Sequence, residues 1–171
     1  MASSKLNQIK LLLLDVDGVL TSGHIIYSNA GVETKAFHVK DGLGIKLLMN
    51  AGIDIGIVTG RSSEALFQRC KDLGITLIFD GIKEKGAIID TILSRTGLLA
   101  GQVAFMGDDL PDIALLKKVG VSIAVADAHE RVKKSVDMIT QEKGGNGAVR
   151  EVCEMILKAN GLWDNIIENC I

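Results

Sequence analysis

Two carboxylates, Asp15 and Asp17, directly follow an unbroken apolar run over residues 11–14. Such a run is typical of a strand that is buried on both faces of a parallel sheet. Ligands of open α/β sheets bind at the carboxyl ends of the strands, and the strand period places both carboxylates on one side. Gly18 allows a tight turn beside them. The pair is therefore positioned to share a divalent cation, although a polar turn after a core strand is the simpler alternative.

Further polar residues stand where later strands are predicted to end. Thr59 and Gly60 follow the second strand, and Lys85 lies at the start of the helix after the third. The fourth strand is followed by three carboxylates, Asp108, Asp109 and Asp112. Because parallel strands end at a common edge, we expect all of these side chains to lie close together.

Carboxylates with one hydroxyl and one ammonium indicate phosphoryl transfer. Clustered carboxylates repel one another unless a cation neutralises them, which predicts a hard metal ion such as Mg²⁺. Asp15 can then attack phosphorus, and Asp17 can protonate the leaving alkoxide and later deprotonate water. The Thr59 hydroxyl and the Lys85 ammonium would hold the non-bridging oxygens. These residues together predict a covalent, metal-assisted phosphatase.

Each residue also has a structural interpretation when it is considered alone. Thr59 and Gly60 suit an ordinary strand-to-helix turn, and Lys85 suits a solvated helix position. Asp108 and Asp109 suit a turn in which an aspartate caps the next helix. Their joint placement after successive strands favours the catalytic interpretation.

Composition restricts the class of protein. The 171 residues carry a net charge of -2 and only 4% aromatic residues, which argues against a nucleic-acid partner and against binding to a membrane surface. Cys70, Cys153 and Cys170 form no CxxC motif, so we expect reduced thiols and a cytoplasmic location. The polar residues 1–5 do not suit a signal peptide, and the run at residues 11–14 is too short to span a bilayer.

Hydrophobic patterning predicts a three-layer, doubly wound α/β fold with a parallel sheet in a single domain, residues 1–171. Five strands are expected at residues 11–14, 53–58, 75–79, 102–106 and 121–125, and residues 137–140 could add a sixth. Helices are expected near residues 42–50, 63–73, 83–95, 111–118, 129–134 and 148–159. A β-hairpin insert occupies residues 23–39, and a tail occupies residues 160–171.

Four segments resemble the motifs of the haloacid dehalogenase superfamily. They are Asp15-Val16-Asp17-Gly18-Val19, Thr59-Gly60-Arg61, Lys85 and Gly107-Asp108-Asp109-Leu110-Pro111-Asp112. Longer segments, at residues 35–42, 125–129 and 144–153, are similar to the superfamily's phosphatases of an eight-carbon keto-sugar acid, 3-deoxy-D-manno-octulosonate 8-phosphate. The resemblance implies a Rossmann-like fold without a cap domain. It also implies Mg²⁺-dependent release of phosphate through an aspartyl-phosphate, a step in making the inner core of bacterial lipopolysaccharide.

The resemblance also assigns roles to the carboxylates. Asp15 is implied as the nucleophile and a metal ligand. Asp17 is implied as the acid/base, with its backbone carbonyl also on the metal. Asp108 completes the protein ligands, while Asp109 and Asp112 would act on the metal directly or through water.

For the substrate, the resemblance implies that Thr59, Gly60 and Lys85 contact the phosphoryl group. Arg61 and Arg69 suit the carboxylate of the sugar, because a guanidinium can bind a carboxylate through two hydrogen bonds. Relatives that act on nine-carbon sugar acids tend to have an acidic residue in place of Arg61, so Arg61 favours the eight-carbon substrate.

The hairpin is too small to cover its own active site, and an apolar two-stranded element suits a partner surface. The resemblance implies a homotetramer in which hairpins join in a barrel and a neighbour completes each site. His38 and Lys40 are then candidates to contact the substrate or the neighbouring subunit, although His38 could equally be a structural histidine.

Three alternatives remain open. A phosphatase of a nine-carbon sugar-acid phosphate would use the same chemistry. A phosphotransferase or mutase could use the same carboxylates, but it would have to keep water from the aspartyl-phosphate, normally with a mobile cap. A non-catalytic binding module would usually lack Asp15 or Asp17, and both are present.

Overall fold

The computed structural model describes residues 3–168, so Cys170 and the two ends of the predicted domain lie outside the described residues. In chain order the strands are β1 (Leu11–Leu14), β2 (Ile26–Tyr27), β3 (Glu33–Thr34), β4 (Asp54–Val58), β5 (Leu77–Phe79), β6 (Val103–Gly107), β7 (Val121–Ala124) and β8 (Met138–Ile139). The helices are α1 (Val39–Asn50), α2 (Glu64–Leu73), α3 (Ile89–Thr96), α4 (Ile113–Leu116), α5 (Glu130–Lys133), α6 (Ala148–Ala159) and α7 (Trp163–Glu168).

Six of the strands form one parallel sheet in the order β5-β4-β1-β6-β7-β8. The four leucines of β1 are fully buried at its centre, as expected for a strand that is covered on both faces. From β1 the chain builds the sheet outward through β4 and β5, and it then returns to build β6, β7 and β8 on the other side. The order therefore reverses between β1 and β6, where ligands of such sheets bind. The predicted doubly wound α/β fold with flanking helices is confirmed.

A polar contact joins helices α1 and α6 close to the predicted hairpin. Asp41, in the first turn of α1, accepts hydrogen bonds from the backbone N–H groups of Arg150 at 2.8 Å and Gly147 at 3.4 Å. It therefore caps α6, whose residues 148–159 were predicted as a helix. The pKa of Asp41 is raised because burial outweighs these hydrogen bonds.

Two predicted helices have different local forms. The helix expected from residue 83 is instead a 3₁₀ turn, Lys85–Ala87, followed by α3. The helix expected from Pro111 begins as a second 3₁₀ turn, Leu110–Asp112, before α4. These segments pack so closely that a Cβ on Gly86 would lie 2.7 Å from the Cβ of Ala114. This tight packing brings Lys85 towards the residues after β6.

The hairpin is the other departure from a plain sheet. Strands β2 and β3 pair antiparallel over only two residues each, within the predicted span 23–39. The patterning did not predict the 3₁₀ helix Ser3–Gln8 or the helix α7. Between β1 and α1, the described chain carries no folded element larger than this hairpin.

No helix in residues 3–168 has the length and apolar character needed to cross a membrane.

Candidate active site

A cavity of about 450 Å³ opens at the carboxyl edge of the sheet, beside the reversal in strand order. Nine of the twelve predicted site residues line it: Asp15, Asp17, Thr59, Gly60, Arg61, Lys85, Asp108, Asp109 and Asp112. The cavity also contains four residues that were not predicted as site residues: Gly23, Ile82, Lys83 and Pro111. The loops after β1, β4 and β6 thus meet as the strand-end argument predicted.

Lys85 is bonded to two carboxylates in the floor of the cavity. Its Nζ lies 2.8 Å from Asp15 Oδ1 and 2.5 Å from Asp112 Oδ1. Both Lys85 and Asp15 are only 6% exposed. Burial disfavours the charge on Lys85, but the attraction of the two carboxylates outweighs it and raises the pKa of Lys85. The ammonium is therefore fixed beside the predicted nucleophile, and a solvated position is excluded.

Asp112 organises the loop after β6. Its Oδ2 accepts hydrogen bonds from the backbone N–H groups of Asp108 at 2.9 Å and Asp109 at 3.2 Å, while its Oδ1 pairs with Lys85. Both oxygens of Asp112 are thus already engaged within the protein. The Asp15 and Asp108 carboxylates are less engaged, which makes them the better candidates to hold a cation directly.

The carboxylate cluster carries more negative than positive charge. Burial raises the pKa of Asp15 to about 6, against the attraction of Lys85. Burial, and then repulsion by Asp15 and Asp112, raises the pKa of Asp108 to about 8. Asp15, Asp108 and Asp112 each offer an oxygen, and these oxygens lie within 4.8 Å of one another. Buried oxygen ligands at this spacing fit a hard divalent cation such as Mg²⁺.

Close backbone contacts support the loop that carries Asp15 and Asp17. A Cβ on Gly18 would lie 2.1 Å from Asp108 Oδ2, and a Cβ on Gly144 would lie 1.7 Å from the Gly18 carbonyl oxygen. Gly145 N–H also donates to the Val19 carbonyl at 2.8 Å. The glycine-rich loop at residues 144–147 therefore packs directly against the Asp17-Gly18 turn and supports it. The sequence predicts these glycines as a loop before the helix at residues 148–159 and as part of a family motif, but nothing local shows what they pack against.

Thr59 lies on the opposite wall, directly after β4. It is 2% exposed, and its backbone bonds to the Phe79 carbonyl and the Ile82 N–H fix its position. Gly60 follows it in a position where a Cβ would lie 3.6 Å from the Ile82 carbonyl oxygen. This wall is therefore held by the ends of β4 and β5, and it presents one hydroxyl to the cavity.

Arg61 connects this wall to the hairpin through several polar contacts. Its Nη2 lies 2.8 Å from Glu33 Oε2 and 3.3 Å from the Tyr27 hydroxyl, and its Nε lies 3.7 Å from Asp17 Oδ2. Lys35 Nζ bonds to Asp17 Oδ1 and lies 3.1 Å from Glu33 Oε1. Hydrogen bonds from Lys35 and Arg61 lower the pKa of Glu33. No local pattern predicts this network, because it depends on the register of the hairpin.

The other three predicted residues lie outside this cavity. His38 and Lys40 line a separate cleft of about 680 Å³ beside the start of α6. Arg69 Nη2 lies 3.4 Å from the His38 carbonyl, and its guanidinium stacks over the Phe37 ring at 5.7 Å. Their contacts with substrate stay predictions that one chain does not test.

Comparisons with known proteins agree with this geometry. Residues 77–152 match the family model described as haloacid dehalogenase-like hydrolase. The chain is 44% identical over 161 residues to 3-deoxy-D-manno-octulosonate 8-phosphate phosphatase of Escherichia coli strain K12, covering 94% of this chain and 86% of the relative. It is 46% identical to the corresponding enzyme of Haemophilus influenzae, covering 92% of this chain and 87% of the relative.

Solved structures give the same relationship. The phosphatase of that name from Moraxella catarrhalis, crystallised with a magnesium ion, a phosphate ion and a KDO molecule, superposes with a TM-score of 0.97. It is 43% identical, and the match covers 99% of this chain and 98% of that chain. The cobalt-bound phosphatase from Haemophilus influenzae superposes with a TM-score of 0.90 at 45% identity, with 93% of each chain covered.

Proposed function

This chain belongs to the 3-deoxy-D-manno-octulosonate 8-phosphate phosphatase family of haloacid dehalogenase-like hydrolases, and we propose that it hydrolyses that ester to phosphate and the free sugar acid. The observation that carries the proposal is the buried cluster at the reversal of strand order, where Lys85 lies 2.8 Å from Asp15. The product is a sugar of the lipopolysaccharide inner core, so the enzyme serves the synthesis of that polysaccharide.

The carboxylate cluster fits Mg²⁺, the ion present in the Moraxella catarrhalis relative. Asp15 and Asp108 would hold the ion through carboxylate oxygens, and Asp17 would hold it through its backbone carbonyl. Asp109 and Asp112 would assist directly or through water. When bound, the ion neutralises the cluster and polarises the phosphoryl oxygens.

The chain's own residues carry both chemical steps. An oxygen of Asp15 attacks phosphorus, and the bond from phosphorus to the sugar oxygen breaks while Asp17 gives that oxygen a proton. Asp17 then takes a proton from water, the resulting hydroxide attacks phosphorus, and the Asp15 carboxylate is released together with phosphate. Lys85, Thr59 and Gly60 hold the non-bridging oxygens, and Lys85 also keeps the Asp15 carboxylate oriented.

Arg61 is the residue in this cavity best placed to bind the substrate carboxylate. Its side chain is 43% exposed beside Asp17, and a guanidinium can bind a carboxylate through two hydrogen bonds. Relatives that act on nine-carbon sugar acids tend to have an acidic residue in place of Arg61, so its presence here favours the eight-carbon sugar acid. Arg69, His38 and Lys40 would contact substrate or an adjoining subunit only where a neighbour brings their cleft close to a cavity.

The proposal includes a homotetramer in the cytoplasm. The hairpin exposes four apolar side chains, since Ile25, Ile26, Tyr27 and Val32 are 43%, 50%, 60% and 62% exposed. Such a patch suits an interface between copies of this chain.

Sedimentation should give a mass four times that of one chain, and Ile26→Asp should lower this mass. A monomeric wild-type protein would contradict the proposed tetramer. The buried Cys70 and Cys153 thiols are consistent with a reducing compartment.

The decisive experiment measures phosphate release from the eight-carbon and nine-carbon sugar-acid phosphates side by side. Each is assayed with Mg²⁺ and with chelator, and Asp15→Asn serves as the blank. We expect a strong preference for the eight-carbon ester that disappears with chelator and in the variant. Equal, slow turnover of both esters would support the phosphatase reaction but contradict the assignment of the eight-carbon substrate. Appearance of a phosphorylated isomer instead of free phosphate would favour a mutase.

A further inference from the structure

We propose that Glu33 is a positioning residue that sets the specificity of the cavity for sugar acids by holding Arg61 at its mouth. This inference rests on the proposed function, since it takes Arg61 to bind the substrate carboxylate. Glu33 is not among the described residues that line the cavity, so its effect must pass through its partners.

Four side chains form a closed ring of alternating charge between the hairpin and the cavity. Lys35 bonds to Asp17 and lies 3.1 Å from Glu33, while Arg61 lies 2.8 Å from Glu33 and 3.7 Å from Asp17. Each cation thus contacts two carboxylates, and each carboxylate contacts two cations. Of these four residues, only Asp17 and Arg61 face the cavity.

Within the ring, Glu33 gives the strongest hold on Arg61. Its contact with Nη2 is shorter than those of the Tyr27 hydroxyl at 3.3 Å and Asp17 at 3.7 Å. The contacts to Glu33 and Asp17 engage Nη2 and Nε, which leaves Nη1 free of any partner in residues 3–168. An arginine held along one edge can bind a substrate carboxylate with its remaining N–H groups without first losing side-chain entropy.

Glu33 also prevents a competing arrangement. Without it, Lys35 and Arg61 would be two neighbouring cations that share the single carboxylate of Asp17. The Lys35 side chain is only 2% exposed, whereas that of Arg61 is 43% exposed, so Arg61 can turn to solvent more readily. Loss of the Glu33 charge should therefore release Arg61 and leave Lys35 on Asp17. The sugar-acid contact is lost first, and the acid/base keeps its partner.

The test is the variant Glu33→Gln, which keeps the shape of the side chain and removes its charge. We expect KM for the eight-carbon sugar-acid phosphate to rise about tenfold while kcat changes less than about twofold. KM and kcat for p-nitrophenyl phosphate, which has no carboxylate, should stay at the wild-type values. A merely structural role would lower activity on both substrates. The melting temperature, measured in parallel, controls for folding.

A double-mutant cycle shows whether Glu33 acts through Arg61. In an Arg61→Met background, Glu33→Gln should have no further effect on KM for the sugar-acid ester. An additive loss in the double variant, or an equal loss on p-nitrophenyl phosphate, would overturn the inference while the proposed function stands. A wild-type protein that hydrolyses only p-nitrophenyl phosphate would overturn the proposed function, and the inference with it.

Discussion

The two sides of the cavity are built by opposite means. On the sheet side, Asp15, Lys85 and Asp112 are at most 6% exposed and are fixed by strand ends in the core. On the hairpin side, Arg61 is 43% exposed and is held by an ion pair to a strand of two residues. Buried ion pairs are costly to break, whereas exposed ones contribute little to stability. In the proposed function, the nucleophile thus lies on the buried side, and the residue that selects the substrate lies on the exposed side.

The largest effect should follow the change Asp15→Asn. The amide cannot form the aspartyl-phosphate, so we expect phosphate release to fall about 10⁴-fold or more while the fold is retained. Asp54→Asn is the matched control, because Asp54 is exposed at the opposite end of β4. It should keep full activity. Substantial turnover by Asp15→Asn, measured as phosphate release in single-turnover and steady-state assays, would move the nucleophile elsewhere.

The site residues on the sheet side were predictable because the patterns that indicate them lie within short stretches of sequence. A buried strand such as β1 must be apolar throughout, so acidic residues directly after it mark the edge of the sheet. Parallel topology then brings Asp15 and Asp108 together although they are far apart in sequence. The 3₁₀ turn at Lys85 was not predicted. Hydrophobic periodicity does not distinguish a short 3₁₀ turn from the start of an α-helix, and it does not show that Gly86 packs tightly on Ala114.

The hairpin side was only partly predictable. Exposed strands of two residues leave almost no periodic pattern, and their register decides which charges meet. Lys35 belongs to the motif segment at residues 35–42, but that pattern does not indicate its contact with Asp17. Glu33 was not singled out at all. Contacts made by side chains across a hairpin and a loop depend on the tertiary arrangement, which one sequence does not show.

The second-largest effect should follow Lys85→Met, which breaks the buried pairs of the sheet side. Asp15 and Asp112 would lose their shared cation, so we expect the free energy of unfolding to fall by about 3–5 kcal/mol and activity to fall about 10²-fold or more. Because the remaining carboxylates then lack any ammonium, Mg²⁺ should raise the melting temperature more in the variant than in the wild type.

Lys118→Met is the control for Lys85→Met. Lys118 Nζ lies 2.8 Å from the Gly86 carbonyl and pairs with no carboxylate in the described part of the chain. Its loss should cost about 1 kcal/mol and leave the Mg²⁺ response unchanged. Equal thermal shifts with Mg²⁺ in the wild type and in Lys85→Met would contradict the expectation that Lys85 and the ion compete for the charge of these carboxylates.

A matched pair of glycine substitutions compares the two sides directly. In Gly144→Ala the new Cβ would lie 1.7 Å from the Gly18 carbonyl oxygen, so the turn that carries Asp17 must shift. We expect about 1–3 kcal/mol of destabilisation and a fall in kcat of about tenfold. Gly31→Ala, in the hairpin turn at φ +76° with nothing within 4 Å, should cost about 1 kcal/mol and leave kcat unchanged. Similar kcat values for the two variants would contradict the supporting role of the glycine loop.

The smallest effect should come from removing the chain after Gly161. Helix α7 has no buried residue, but Trp163 and Ile166 pack against the core, and the Trp163 ring lies beneath Arg150 at 5.6 Å and Lys158 at 5.0 Å. We expect a folded enzyme whose specificity constant is lower by a few-fold, because Arg150 lines the cleft that also contains His38 and Lys40. Trp163→Ala should reproduce most of the loss if Arg150 is the link. An unchanged specificity constant in the truncated enzyme would separate this cleft from catalysis and leave Glu33 and Arg61 to select the substrate.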